Sequence, residues 1–111
     1  MAVNIANIIP AKTAENTQTT QYTSSGVQTI IDKFTATNYS AFATTLSVNL
    51  VTAAGAAGNA NLIVRAKTLQ PSETYTFPEI VGHVLPSGGF ISTVAGAASS
   101  VNIRASGRLV S

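Results

Sequence analysis

Cysteine and tryptophan are absent from the chain, and histidine occurs once. Without cysteine there are no disulfides and no thiolate metal sites. His83, the lone histidine, has no companion with which to build the ligand set of a metal ion, so neither a metal nor a cofactor is expected. Charge is scarce as well. Lys, Arg, Asp and Glu make up 9% of the 111 residues, against roughly 25% in a typical domain. The six cations, Lys12, Lys33, Arg65, Lys67, Arg104 and Arg108, are scattered. Nucleic-acid binding draws on concentrated positive charge and stacking aromatics, and neither is present. No stretch approaches the ~20 apolar residues of a membrane span. The segment "MAVNIANIIPAK" has no basic start followed by an apolar run, which gives the expectation of synthesis in the cytoplasm without export.

Catalytic patterns are missing too. Glu15, Asp32, Glu73 and Glu79 are the only acids; a glycosidase-like pair drawn from them would lack the aromatic platforms that hold a sugar. Serine and threonine abound, but one histidine and no G-x-S-x-G leave a hydrolytic triad unsupported. "GAAG" has no following Lys-Ser/Thr and "PSGG" no following helix, so neither is a phosphate loop. No residue is assigned a catalytic role, and the expectation is that the protein is not an enzyme.

What is present is an apolar fraction of 45%, enough for one real core. The polar remainder is mostly Thr, Ser, Asn and Gln. Such side chains hydrogen-bond without repelling one another. A free monomer ordinarily relies on charge to stay apart from its neighbours, so a surface this neutral fits either one covered by other subunits or an ordinary extracellular or β-rich domain.

Side-chain alternation identifies the elements. Leu46, Val48 and Leu50 oppose Thr45, Ser47 and Asn49; Leu62, Val64 and Ala66 oppose Ile63, Arg65 and Lys67; Val101, Ile103 and Ala105 oppose Asn102 and Arg104. Period two marks half-buried strands. The intervening "TAAGAAGNAN" is then a hairpin tip, with Gly55, Gly58 and Asn59 expected at the positive-φ positions. Val27, Ile30, Ile31 and Phe34 fit a helical stripe, but the β-branched residues around them and the turn chemistry on either side predict a strand. "TYTF", "EIVGHVL" and "FISTVAG" read as further strands, separated by Pro78 and "PSGG". Ile30, Leu46, Val48, Leu50, Leu62, Val64, Ile91, Val101 and Ile103 form the expected core. The fold class is all-β: an antiparallel β-sandwich or jelly-roll-like barrel with an N-terminal arm. Residues 22–111 make the single β-sandwich domain. Residues 1–21 are either an arm or a first strand plus tether, Pro10 ending the apolar patch "VNIANIIP".

That patch supplies the first candidate interface residues, Val3, Ile5, Ile8 and Ile9. An arm of this kind can add a strand to a neighbouring sheet edge, and its removal would then leave the domain folded. Tyr22 and Tyr39 join the candidates because aromatics are enriched at interfaces.

The order "YTSSGVQTIIDKFTATNYSAFATTLSVNLV", a Gly/Ala tip, and "AKTLQPSETYTFPEIVGHVLPSGGFISTVAGAASSVNIRASGRLV" resembles small β-domain proteins of tailed-phage virions. "IIDKFTATN", "GHVLPSGGFIS" and "IRASGR" are its most telling pieces, within a match running from Tyr22 to the end. In length and pattern the chain is similar to the capsid decoration, or staple, proteins of epsilon-group podoviruses. The resemblance implies a cement protein on the outer surface of an icosahedral head, bound to the major capsid protein as a homodimer. There it would clamp neighbouring capsomers against the pressure of packaged DNA. It implies no active-site residue, no direct contact with nucleic acid and no membrane. A neck or tail component and a carbohydrate-binding β-sandwich module are the alternative expectations.

Overall fold

Residues 2–111, which the computed structural model describes, form nine strands in chain order. These are β1 (Val3–Thr13), β2 (Thr19–Thr23), β3 (Gln28–Asn38), β4 (Thr44–Val51), β5 (Leu62–Leu69), β6 (Thr74–Tyr75), β7 (Val84–Leu85), β8 (Phe90–Ala95) and β9 (Val101–Val110). Sheet A has the order β1-β9-β3, with β6 and β7 both lying along the far edge of β3; sheet B has the order β2-β8-β4-β5. Every pair is antiparallel. With β6 and β7 taken as one interrupted strand, the chain fills the two sheets in the jelly-roll order of two Greek keys. The expected all-β sandwich is the fold.

The core lies between the sheets. Ile31, Phe34, Leu46, Val48, Leu69, Ile91 and Ile103 are fully buried there, each contributing about 1.5–3 kcal/mol through removal from water. Phe34 meets Phe77 edge to face, with ring centroids 5.3 Å apart, an arrangement favoured by the ring quadrupoles. Ile30, Leu50 and Leu62, expected in the core, are only partly buried. For Ile30 the reason is register. Between the pairs Ile31↔Gly107 and Lys33↔Ser106, β3 carries one extra residue, Asp32. This bulge lets Ile31 and Phe34 both face inward while Ile30 faces out. The same bulge produces the three-residue spacing that imitates a helical stripe.

The N-terminal segment is a first strand, not a free arm; Met1 lies outside the described residues. β1 pairs with β9 from Val3↔Val110 to Thr13↔Asn102, with irregularities between Ala6 and Lys12. Pro10 does not end it. On a sheet-edge strand, at an irregularity, a missing N–H is tolerated. The segment that follows is pinned rather than loose: Ala14 N–H donates to the Val101 carbonyl at 2.8 Å, and Ala95 N–H to the Glu15 carbonyl at 2.9 Å.

The hairpin between β4 and β5 stands, but its turning residues differ from those expected. Positive φ falls on Ala54 (62°), while Gly58 is extended at −168° and Asn59–Asn61 form a short 3-10 turn. Gly55 sits in a close approach instead, where a Cβ would lie 3.0 Å from Val51 Cγ1 and 3.1 Å from the Thr52 carbonyl. Farther on, "TYTF" stops as a strand at Tyr75 because Phe77 adopts φ 43° and is fully buried. "EIVGHVL" is strand only at Val84–Leu85; Pro78 to Gly82 are turns that carry Ile80 into the core.

Candidate interaction face

Antiparallel register aligns residues of neighbouring strands into rows, and alternate rows share one face. On the side of sheet A away from the core, one row runs Ile5 (β1), Arg108 (β9), Ile30 (β3) and Val84 (β7). Beside it lies Val3, Val110 and Gln28. Ile5 is 89% exposed, Val3 54% and Val84 52%. Large aliphatic side chains left this open on one sheet face make it the candidate interaction surface.

Charge is set into this apolar region. Arg108 reaches the Asp32 carboxylate through Nε, 3.1 Å from both oxygens, and through Nη2, 2.9 Å from Oδ1. This bond raises the guanidinium's already high pKa and fixes its direction on the sheet. The next rows place Thr35 opposite Arg104 and Lys33 opposite Ser106. Together with Ala105 these residues line a hollow of about 300 Å³. A second hollow of about 290 Å³ adjoins it through Lys33 and is bounded by Asp32, Thr76, Pro78 and Val81.

The far end of the face is hydroxyl-rich. Thr13, Asn102, Thr37 and Thr74 form one row. Thr13 Oγ1 donates to Asn102 Oδ1 at 3.1 Å, and the Thr37 and Thr74 hydroxyls meet at 2.9 Å. Tyr39, half exposed, brings its hydroxyl within 3.3 Å of Thr13 Oγ1. Sheet A thus grades from aliphatic through charged to hydroxyl.

No protein-family model, curated protein or solved structure matches the chain.

Of the residues expected at an interface, Val3, Ile5 and Tyr39 share this one face. Ile8 and Ile9 do not: both are buried in the core cluster and present nothing to a partner. Tyr22 sits on β2 of the other sheet, packed against the core, with its hydroxyl 2.8 Å from Thr29 Oγ1. Ile30, Val81, Val84, Lys33 and Arg104 were not foreseen, because only the pairing of β3 with β9 and β7 and the turn at Pro78–Gly82 bring them together. Phe42, which as one of the dispersed aromatics was expected chiefly in the core, is 80% exposed in the β3–β4 loop; its position just outside the alternating run was the available signal.

The outer face of sheet B is closed by comparison. Asn49 and Val51 are buried on the side away from the core, beneath the β4–β5 tip. Asn49 Nδ2 donates to the Gly58 carbonyl at 2.9 Å and to Asn61 Oδ1 at 2.7 Å. Gln18 Nε2 donates to Ser92 Oγ at 2.7 Å. The edge strand β5 carries Arg65, Lys67 and a bulge at Ala66, whose N–H is taken up by Ser47 Oγ at 2.8 Å; such features discourage edge pairing. Among the described residues, no three metal-ligating side chains cluster, and no helix is long and apolar enough to cross a membrane.

Proposed function

We propose that the protein is a structural virion component that docks through the outer face of sheet A onto the exterior of an icosahedral phage capsid. There it bridges neighbouring capsomers of the major capsid protein and resists the pressure of packaged DNA. The observation that carries this reading is the unpartnered face itself: aliphatic at one end, ion-paired in the middle and hydroxyl-rich at the other, the mixture typical of protein interfaces. The resemblance of "IIDKFTATN", "GHVLPSGGFIS" and "IRASGR" to decoration proteins supports the same reading. Many copies on one shell turn modest contacts into durable clamping.

The protein acts as a homodimer in this reading. Ser111 N–H donates to the Ala2 carbonyl at 3.0 Å, so by alternation the backbone groups of Val3 and Ile5 point away from β9 to the free edge. From Val3 to Asn7 that edge carries neither charge nor proline. Two copies paired antiparallel about Ile5 would satisfy it with two-fold symmetry.

Co-sedimentation with phage heads stripped of the protein, and with tails in parallel, tests the proposal. Stoichiometric pelleting with heads alone is the expected result; pelleting only with tails would make the protein a neck or tail component. A carbohydrate-binding reading has one feature in its favour, the polar hollow of about 220 Å³ lined by Gln18, Ser47, Asn49 and Arg65. Its amides are already bonded to one another and no aromatic ring lines it. Binding to neither heads nor tails, with a positive glycan screen, would establish it instead.

A further inference from the structure

We infer that Lys33 and Arg104 form a seat for carboxylates on the surface of the protein partner, an assignment that deepens the docking reading above and rests on it for the partner's identity. Three of the chain's six cations are committed elsewhere, and a fourth, Arg65, lies on β5 of the other sheet. Lys12 Nζ bonds Glu15 Oε2 at 3.0 Å and Arg108 clamps Asp32. Lys67 Nζ lies 4.4 Å from the centre of the Tyr75 ring, whose hydroxyl bonds Glu79. Lys33 and Arg104 have no ion-pair partner among the described residues, although they are diagonal neighbours across β3 and β9.

Like charges on adjacent strands repel. The carboxylate best placed to neutralise Lys33 is that of its chain neighbour Asp32, and Asp32 is turned to Arg108. Thr35 and Ser106 flank the two cations, and their hydroxyls make no hydrogen bond to another described residue. Four side chains with unused donors therefore surround one hollow floored by Ala105, a setting that carboxylate oxygens fit.

The charge balance agrees. Outside this face, Lys12, Arg65 and Lys67 are matched in number by Glu15, Glu73 and Glu79, so the formal charge of +2 resides wholly with Lys33, Arg104 and the Arg108–Asp32 pair. A partner facing this sheet gains from being acidic. Protein carboxylates suit the seat better than a nucleic-acid backbone. Two free cations without a stacking ring are too few to track phosphates, and the adjoining Ile5–Ile30–Val84 row calls for an apolar counterpart.

The test uses the free, full-length protein, an oligoglutamate peptide and amide NMR shifts at low ionic strength. The peptide should shift Lys33, Thr35, Arg104 and Ser106, an oligoglutamine peptide should not, and Lys33→Gln with Arg104→Gln should abolish the response without lowering Tm. Unmoved amides at these four positions, or shifts retained in the double variant, would overturn the assignment. Equal or larger shifts with a single-stranded oligonucleotide of the same charge would also overturn it, in favour of phosphate. On stripped heads the double variant should bind roughly fivefold or more weakly than the unaltered protein, the gap closing in high salt. Peptide shifts without head binding would reject the capsid and keep the seat; head binding indifferent to both substitutions would do the reverse.

Discussion

Asp32 and Arg108 define the turning point of sheet A. Asp32 is the extra residue of β3, and Arg108 takes its carboxylate from across the strand pair through two nitrogens. The bulge changes the phase of β3, sending Ile31 and Phe34 to the core and Ile30 to the surface. It also carries the carboxylate that Arg108, and not the neighbouring Lys33, engages. One irregularity of backbone thus shapes both the core and the candidate interface.

Gly107, paired with Ile31 beside this bulge, is required by backbone proximity. A Cβ on it would collide with the Ile30 carbonyl, a backbone atom that cannot swing aside. Gly107→Ala should destabilise the fold by about 1–3 kcal/mol, as overpacking does, and lower the urea midpoint without changing the m-value.

The apolar residues of β1 divide into two roles. Ile9 is buried, so Ile9→Ala should cost about 2–5 kcal/mol, read by equilibrium denaturation. Ile5 is exposed, so Ile5→Lys should leave stability within about 0.5 kcal/mol while abolishing capture by stripped heads. Deletion of residues 1–12 should unfold the domain instead of freeing it from a tether, because it removes Ile8, Ile9 and one of the two strands that flank β9.

Much of this architecture was legible in the sequence. Alternation at Leu46–Val48–Leu50 and Val101–Ile103–Ala105 located β4 and β9, and β-branching located β3. Val3 and Ile5, named from their apolar patch, and Tyr39, named because aromatics are enriched at interfaces, are exposed side chains. Ile8 and Ile9 were not separable from Val3 and Ile5 by composition, since an apolar strand reads alike whether it lies on its own sheet or on a neighbour's. The seat of Lys33 and Arg104 was invisible for a different reason. These residues are 71 positions apart, and nothing but the paired register makes them neighbours.

Glu15 links stability to acid. Its carboxylate accepts from Gln21 Nε2 at 2.9 Å and Lys12 Nζ at 3.0 Å, and these bonds, that of Gln21 foremost, hold its pKa below the ordinary value. A depressed carboxylate stabilises the fold above its unfolded-state pKa, about 4.3, and the contribution is lost as pH falls through the lower folded-state value. Glu79, lowered by the Tyr75 hydroxyl, acts in the same direction. Thermal melts should therefore weaken between about pH 5 and pH 3, and Glu15→Gln should flatten that slope.

Asn49 fastens the β4–β5 tip from below. Asn49→Ala leaves the Gly58 carbonyl and Asn61 Oδ1 without its donor, which should cost about 1–3 kcal/mol. Hydrogen exchange should accelerate across residues 52–61 while β3 and β9 keep their protection.

The docking of sheet A is tested most directly by cryo-electron microscopy of stripped heads reconstituted with the purified protein. Docking through sheet A predicts two-fold density over the seams between capsomers, with Ile5, Val84, Lys33 and Arg104 turned toward the shell and the β4–β5 tip of sheet B away from it. Bound density with sheet A facing solvent, or heads that remain bare at saturating protein, would contradict it.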